Sequence, residues 1–169
     1  MKKIFIVLIS IFLILCAAAC GTVRPAEPGE VKSPSAPEQS AEPSVKISIY
    51  VSDENAEHFV EQSVMVNALD ENSVFEALKA AGVVPEDAEL LSFAQDNGAI
   101  ALDLSDAYAA YIRTLGTSGE YMAIGGLVNT YIKNFGAQTV ALTVNGEPLE
   151  SGHNIYDMPL EFFSDNVGA

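Results

Sequence analysis

The sequence has few of the residues from which catalytic and metal sites are most often built. It contains 2 cysteines and 2 histidines, and it holds no Gly-x-Ser-x-Gly elbow, Ser-x-x-Lys pair, His-Glu-x-x-His helix or glycine-rich phosphate loop. A zinc site needs several His or Cys ligands, which this chain cannot supply. These absences predict a protein that is not an enzyme and that binds no metal or cofactor.

Basic residues are also scarce. The chain has 8 Lys and Arg against 23 Asp and Glu. If a cleaved leader removes Lys2 and Lys3, 6 basic and 23 acidic residues remain, a net charge of −17. This balance argues against binding to nucleic acid and against direct docking on an anionic bilayer. It favours a basic or uncharged partner, although a solvated acidic surface without any partner is equally compatible.

No apolar run is long enough to cross a membrane as a helix. The longest, from Ile4 to Leu15, is interrupted only by Ser10 and is shorter than the roughly 18 residues that a span requires. It follows a basic start and precedes small residues. Residues 1–19 are therefore predicted to be a secretory signal peptide.

A cysteine ends the small-residue stretch after this apolar run. The segment Ala17-Ala18-Ala19-Cys20 resembles the lipobox of bacterial lipoproteins, with alanine where leucine is usual. We expect diacylglycerol on the Cys20 thiol, since two acyl chains give stable anchoring at the extracytoplasmic face of the cell membrane. The alternative is an ordinary secretory signal with an accidental cysteine. Because Cys16 leaves with the leader, no internal disulfide is possible.

Residues 20–44 differ in composition from the rest of the chain. They are rich in Glu, Ser, Ala and Gly and carry five prolines, Pro25, Pro28, Pro34, Pro37 and Pro43. Such a segment cannot bury enough apolar surface to fold, and proline favours extended geometry. We predict that the lipidated Cys20 is followed by a semi-rigid tether. A proline-rich ligand for another protein is the weaker alternative.

Residues 45–163 are predicted to form one folded domain, and residues 164–169 a C-terminal tail. Roughly 118 residues are enough for one core. Apolar and polar residues alternate over Lys46–Val51, which predicts a half-buried strand, and 58–66 is a weaker strand candidate.

Capping residues predict two early helices. Ser73 and Glu76 form a capping box for the first, which Gly82 ends. Ser105 can cap a short second helix after a strand.

A third and longest helix is predicted between a second capping box, Thr117 with Glu120, and a stop at Gly136. Gly125-Gly126 lies inside it, where each glycine costs about 0.8–1 kcal/mol relative to alanine. We therefore expect close approach of another backbone, from the sheet.

Two turn signals complete the pattern. Asp96-Asn97-Gly98 predicts a hairpin, and Asn145-Gly146 closes the last clear strand. A calcium loop at the first turn would need oxygen ligands that are missing. Because strands and helices do not alternate regularly, the fold is predicted to be α+β, with helices packed on one face of a small mixed or antiparallel sheet.

The stretch from about Val74 to Phe163 resembles the GerMN domain of sporulation and spore-germination lipoproteins. Four short pieces carry the resemblance through their order and spacing: Asp103-Leu104-Ser105; Gly119-Glu120 with Leu127-Val128-Asn129-Thr130; Phe135 with Val140 to Pro148; and Gly152-His153 with Asp157 and Pro159-Leu160. The lipobox and tether also match how the family is usually presented.

The resemblance implies a non-catalytic envelope protein that acts as a protein-interaction or assembly module in sporulation, germination or envelope complexes. It implies domains similar to the ring-building modules of secretion-type assemblies, with envelope proteins or copies of the same chain as partners. The best-known family member has two such domains, whereas this sequence has one. The matching polar positions, which we expect to be structural, are Asp103, Ser105, Glu120, Asn129, Asn145, Gly146, His153 and Asp157.

Three sets of residues leave a sharper alternative open. Asp103 and Asp106 could be paired carboxylates for acid–base chemistry, although a strand exit and a helix start explain them. His153 could be a ligand or a pH-sensitive contact; we prefer a ring that bonds the backbone or Asp157 and pins the C-terminal segment. Four tyrosines at helical spacing could line a groove but are more often core residues: Tyr108, Tyr111, Tyr121 and Tyr131.

A small-ligand-binding surface lipoprotein is the alternative function. Its cleft would lie beside the Gly125-Gly126 helix, and it would need a pocket of about 300 Å³ or more.

Overall fold

The computed structural model describes residues 44–165. Within this range no helix combines the length and apolar character required to cross a membrane. The described elements are, in chain order, β1 (Val45–Ser52), β2 (Phe59–Val66), α1 (Glu71–Ala80), β3 (Leu90–Asp96), β4 (Ala99–Leu104), α2 (Asp106–Arg113), α3 (Thr117–Phe135), β5 (Thr139–Val144), β6 (Glu147–Glu150) and β7 (Ile155–Tyr156).

The described strands form two sheets. β1 and β2 pair with each other, and the other five take the order β3-β4-β5-β6-β7. β4 and β5 run parallel, joined by the crossover through α2 and α3, while the remaining neighbours are antiparallel. One face of this sheet is buried through residues such as Leu102 and Leu142, whereas Ala101 on the other face is exposed. The predicted α+β class with a mixed sheet is confirmed, and the separate two-stranded sheet is an addition.

The edge of β1 opposite β2 lies along α3. Thr130 Oγ1 accepts a hydrogen bond from the Tyr50 N–H at 3.0 Å. Asn134 Oδ1 accepts from the Ser48 N–H at 3.0 Å, and its Nδ2 donates to the Ser48 carbonyl at 2.7 Å. Polar side chains of a helix thus satisfy backbone groups that a strand edge would otherwise leave open.

The two adjacent glycines of α3 lie at its closest contacts. A Cβ on Gly126 would lie 2.7 Å from the Tyr50 carbonyl oxygen, so β1 is the backbone that approaches. A Cβ on Gly125 would meet the rings of Phe59 and Phe163. The predicted close approach to a strand is confirmed at Gly126, while Gly125 makes room for side chains.

Both predicted capping boxes are wrong. α1 begins at Glu71, and its N-cap Asp70 accepts from the Ser73 N–H and Ser73 Oγ, each at 2.8 Å. Asp70 is therefore the capping residue, and Ser73 lies in the first turn of the helix as the donor that it caps. α3 has Gly116 as its N-cap, and Thr117 is its first helical residue.

Both predicted Asn-Gly turns are confirmed. Asn97 and Gly98 have φ angles of 49° and 82°, and Asn145 and Gly146 have 51° and 82°. These left-handed pairs are the two-residue hairpin turns that match strand twist. Asn97 Nδ2 also donates to Asp96 Oδ2 at 2.9 Å, so local turn chemistry accounts for this segment.

The helix tyrosines pack mainly as core residues. Tyr108 and Tyr131 are fully buried, and the Tyr131 hydroxyl donates to the Glu71 carbonyl at 2.9 Å. Burial raises the pKa of both phenols far above the ordinary value of 10.0. The Tyr121 hydroxyl donates to the Ser164 carbonyl at 2.8 Å. The core interpretation is confirmed for Tyr108 and Tyr131.

Candidate functional site

The polar residues identified from the sequence lie at separate positions, beginning with Asp103 on β4. Its carboxylate is half-buried and accepts from Thr143 Oγ1 at 2.7 Å and from the Gly146 N–H at 2.8 Å. It therefore fixes the Asn145-Gly146 turn to the sheet. Asp106 begins α2 and is exposed. The two donors give the Asp103 carboxylate a structural role, which is the interpretation preferred from the sequence.

Ser105 occupies the N-cap position of α2 but does not cap it. Its side chain makes no hydrogen bond to the helix. Instead, its Oγ accepts from the Glu89 N–H at 2.9 Å, and its own N–H donates to the Glu89 carbonyl at 2.9 Å. The hydroxyl joins the end of β4 to the loop before β3, which corrects the predicted cap contact.

Glu120 is a buried carboxylate in the first turn of α3, with 2% of its surface exposed. Oε1 accepts from the Tyr156 hydroxyl at 2.6 Å and from Asn154 Nδ2 at 3.3 Å, while Oε2 has no hydrogen-bond partner among the described residues. Burial alone raises the pKa of Glu120. The hydrogen bonds from the Tyr156 hydroxyl and the Asn154 amide, with the nearby Ser151 hydroxyl and His153, outweigh it, so the pKa lies below the ordinary 4.5. An ionised Glu120 thus holds β7 and the preceding turn against α3.

His153 and Asp157 are both exposed. Between residues 44 and 165 the His153 ring makes no hydrogen bond; its backbone N–H donates to Ser151 Oγ at 3.0 Å, and the Asn154 N–H does so at 2.9 Å. The expectation that the ring bonds the backbone or Asp157 is therefore wrong. A serine turn held by Glu120 fixes this segment instead.

Asn129 is fully buried in the middle of α3. Its Nδ2 donates to the Phe163 carbonyl at 2.9 Å, and its Oδ1 accepts from the Phe163 N–H at 2.7 Å. The amide thus pairs with both backbone groups of one residue, as a neighbouring strand does. This contact makes Asn129 a structural residue.

Residues 157–165, which we call the C-terminal strap, contact both sheets and α3. Val140 and Leu160 exchange two backbone hydrogen bonds at 2.9 and 2.8 Å, which attaches the strap to the five-stranded sheet. Asp165 Oδ1 accepts from the Phe59 N–H at 2.9 Å, which attaches it to β2. With its bonds to α3, the strap joins the two sheets.

Sequence reasoning missed the polar face of α3 that contacts β1. Gly126, Thr130 and Asn134 recur at intervals of four residues, which places them on one face of a helix. A small residue and two polar ones on an otherwise apolar helix were the available signal. No comparable pattern marks Ser151 or Asn154, whose roles depend on a turn.

A groove of about 540 Å³ lies between β2 and α1. Its walls are mostly small and apolar, with Val64 and Val66 on the strand and Ala77 and Ala80 on the helix. Glu76 is the single charged side chain among its described lining residues. The sequence offered no indication of this groove, because it depends on the position of α1 relative to a strand.

The predicted cleft beside the Gly125-Gly126 helix does not form at the two glycines themselves, which are covered. The rings of Phe59 and Phe163 and the backbone of Tyr50 lie against these glycines. A hollow of about 280 Å³ does lie beside the first half of the same helix, lined by Val83 and Ala123 among others but by neither glycine, and it is slightly smaller than the roughly 300 Å³ that a ligand requires.

The turn between β1 and β2 brings together three potential metal ligands. Ligand atoms of Asp53, Glu57 and His58 lie within 4.8 Å of one another. The Asp53 carboxylate accepts from the Glu57 N–H at 2.8 Å, and this backbone bond is the main reason that the pKa of Asp53 is lowered. Hydrogen bonding within the turn accounts for the arrangement, and sequence analysis did not predict it.

A comparison with known protein families identifies one family. Residues 38–150 match the family model Germane, described as sporulation and spore germination. No match was found among curated proteins. The first GerMN domain of the sporulation protein GerM from Bacillus subtilis is 17% identical with a TM-score of 0.51, covering 71% of this chain and 97% of that one.

Two further solved structures are similar. The tandem GerMN domains of the same Bacillus subtilis protein are 16% identical with a TM-score of 0.54, and the match covers 75% of this chain but 48% of theirs. A candidate lipoprotein from Clostridium perfringens is 17% identical with a TM-score of 0.47, covering 70% of this chain and 87% of that one. The chain thus spans about half the length of the tandem structure, and the similarity establishes a GerMN-like fold.

Proposed function

Because the chain belongs to the Germane family of sporulation and spore germination proteins, we propose that it is a lipoprotein whose single GerMN domain binds other proteins of the cell envelope. The domain catalyses no reaction. Lipid on Cys20 anchors it to the extracytoplasmic face of the cell membrane. Its partners are envelope proteins or further copies of this chain.

The observation that carries this proposal is that the polar motif residues make structural hydrogen bonds and do not form a cluster. Asp103, Glu120 and Asn129 each bond a backbone, amide or hydroxyl group of the C-terminal third, at separate positions. A catalytic site needs a nucleophile, an acid–base group and a stabilising donor within mutual reach. Polar groups distributed as structural contacts favour a rigid binding scaffold.

Anchoring through Cys20 is proposed from sequence alone, because this residue lies outside the described range. We expect Cys20→Ser to move the protein from the membrane to the soluble or secreted fraction, since the two acyl chains are lost. Fractionation with a palmitate analogue as label measures this. A Cys20→Ser protein that stays in the membrane and still takes the label contradicts the anchor.

Crosslinking of the tagged full chain in growing and in starved cells, followed by affinity purification and mass spectrometry, tests the interaction function. Recovery of the same membrane-complex proteins in repeated purifications, enriched in starved cells, supports a role in sporulation. Recovery of no partner above an untagged control contradicts an interaction module.

The groove between β2 and α1 supports a second candidate function, the binding of a small apolar ligand. Its volume of about 540 Å³ exceeds the roughly 300 Å³ that such ligands require. Native mass spectrometry of protein purified from its own cells would reveal a retained small molecule. A mass that matches the bare lipidated chain removes this candidate.

A further inference from the structure

The outer edge of β2 presents unpaired backbone groups. Ser48 and Tyr50 direct their N–H groups away from β2, to side chains of α3. They lie opposite Ser63 and Glu61 in the antiparallel ladder. In an antiparallel ladder, two directly opposed residues point their backbone N–H and C=O groups either both toward each other or both away from each other. Ser63 and Glu61 therefore also point these groups away from β1, toward the outer edge of β2.

One end of this edge is covered and the rest is open. The Phe59 N–H points outward like those of Glu61 and Ser63, and it donates to Asp165 Oδ1 at 2.9 Å. Among residues 44–165 no acceptor takes the N–H groups of Glu61, Ser63 or Met65. The eight-residue strand contains no proline or lysine of the kind that usually protects an exposed edge.

The groove described above runs beside this open edge. Val64 and Val66 direct their side chains to the face that α1 partly covers, where Ala77, Ala80 and Ala81 form the opposite wall. A strand added next to β2 would place every second side chain on that face, because side chains alternate along a strand. An unpaired edge and an adjoining apolar groove together form a site for an extended peptide.

We propose that β2 and this groove bind an extended, lysine- or arginine-bearing segment of a partner protein as a third strand. The proposal rests on the interaction function above and names its surface. Residues 44–165 carry 4 Lys and Arg against 19 Asp and Glu, a net charge of −15. Glu76 is the charged residue of the groove, and its exposed carboxylate also pairs with Lys79 at 3.3 Å. A basic segment is therefore attracted, while a second copy of the acidic domain is repelled.

The part of the chain's own tether nearest the domain, residues 34–43, fits this site poorly. Pro34, Pro37 and Pro43 lack the N–H that a ladder requires, and the five residues between the last two include Glu38 and Glu42. Like charge and missing donors in this stretch thus favour a segment of another protein as the occupant.

The test uses the purified full chain in detergent and a fluorescent short peptide that alternates valine and lysine. Two matched peptides accompany it, one N-methylated at alternate residues and one with glutamate in place of lysine. We expect the first peptide to bind and both matched peptides to bind at least about tenfold more weakly, a difference of about 1.4 kcal/mol. Hydrogen exchange should slow in β2 when the first peptide is added.

Two variants locate the site. Ala80→Tyr fills the groove from an exposed helix position, and Ser63→Pro removes an outward N–H from the strand edge. We expect each to weaken binding at least about tenfold. Ala110→Tyr, at an exposed position of α2, is the matched control and should bind like the original chain. If Ser63→Pro lowers the unfolding temperature, its weaker binding could reflect unfolding, and the result for Ala80→Tyr alone locates the site.

Equal binding of the N-methylated peptide, or binding unchanged by Ala80→Tyr, overturns the proposal. A dimer that forms without peptide and is lost in Ser63→Pro overturns it in favour of pairing between copies. If Ala80→Tyr still recovers the same crosslinked envelope partners, the surface is wrong but the interaction function stands. If the original chain recovers no partner, the interaction function itself fails.

Discussion

At the scale of single residues, Gly126 sets the distance between α3 and β1. An alanine Cβ there would lie 2.7 Å from the Tyr50 carbonyl oxygen and 3.1 Å from Val83 Cγ1. Because the first contact is with backbone, β1 must move and strain its bond to Thr130. We expect Gly126→Ala to lower the free energy of unfolding by about 1–3 kcal/mol, measured by urea denaturation.

Gly119 in the same helix provides the control for this substitution. A Cβ there would meet Leu115 at 3.4 Å, an ordinary contact. Gly119→Ala should leave stability unchanged or raise it by up to about 1 kcal/mol through helix propensity. Equal effects of the two substitutions would show that close approach does not explain Gly126.

Glu120 should make stability depend on acid pH. Its pKa lies below the ordinary 4.5, so its contribution is complete above that value and is lost as the pH falls through the folded-state pKa. Glu120→Gln should cost about 1–3 kcal/mol at neutral pH, because the partly buried hydrogen bonds from Tyr156 and Asn154 lose a charged acceptor. Between about pH 5 and pH 3 the variant should lose less stability than the original chain. Parallel losses in urea denaturation at each pH would contradict this role.

At the scale of elements, the C-terminal strap depends on Asn129. Asn129→Ala leaves the partly buried N–H and carbonyl of Phe163 without their side-chain partner, which should cost about 1–3 kcal/mol. Exchange of the Phe163 amide should become faster than in the original chain, measured by hydrogen exchange. Asn72→Ala, at an exposed position of α1, should change neither quantity. Slow exchange in Asn129→Ala would show that other contacts hold the strap.

The elements that the sequence predicts are those with local signals. The alternation around Ile47 and the turns at Asn97-Gly98 and Asn145-Gly146 depend on neighbouring residues, and all appear in the structure. The capping boxes failed because Asp70 and Gly116 offered earlier helix starts. Candidate residues for a helix start differ little in intrinsic propensity, so tertiary contacts decide at which of them the helix begins.

The candidate surface could not be predicted in the same way. The separation of β1 and β2 from the larger sheet depends on α3, whose Thr130 and Asn134 occupy the edge of β1. The groove then depends on where α1 lies relative to β2. Glu120 was identified by resemblance, but its bond to Tyr156 joins residues 36 positions apart, which no local pattern encodes.

At the scale of the whole molecule, the described fold concentrates negative charge. Its net charge of −15 comes from 19 acidic and 4 basic residues, and the bridges of Lys79 with Glu76 and Lys133 with Glu61 are both partly exposed. Such pairs contribute little, so repulsion among the other carboxylates opposes the compact state. The same charge supports the preference for a basic partner.

This repulsion should make thermal stability depend on salt. Raising ionic strength from about 0.01 to 0.1 M shortens the screening length from about 30 to 10 Å, so we expect the unfolding temperature to rise by roughly 4 °C. Glu86→Lys, at an exposed position beside Asp87 and Glu89, should raise the unfolding temperature at low salt and reduce its salt dependence. Glu86→Gln separates loss of one negative charge from gain of a positive one, and its effect should be intermediate. Circular dichroism measures the unfolding temperature of the three chains at each salt concentration. Because screening acts in proportion to the charges that remain, the three chains should respond differently to salt. An identical response would show that local contacts, and not net charge, govern the rise in unfolding temperature.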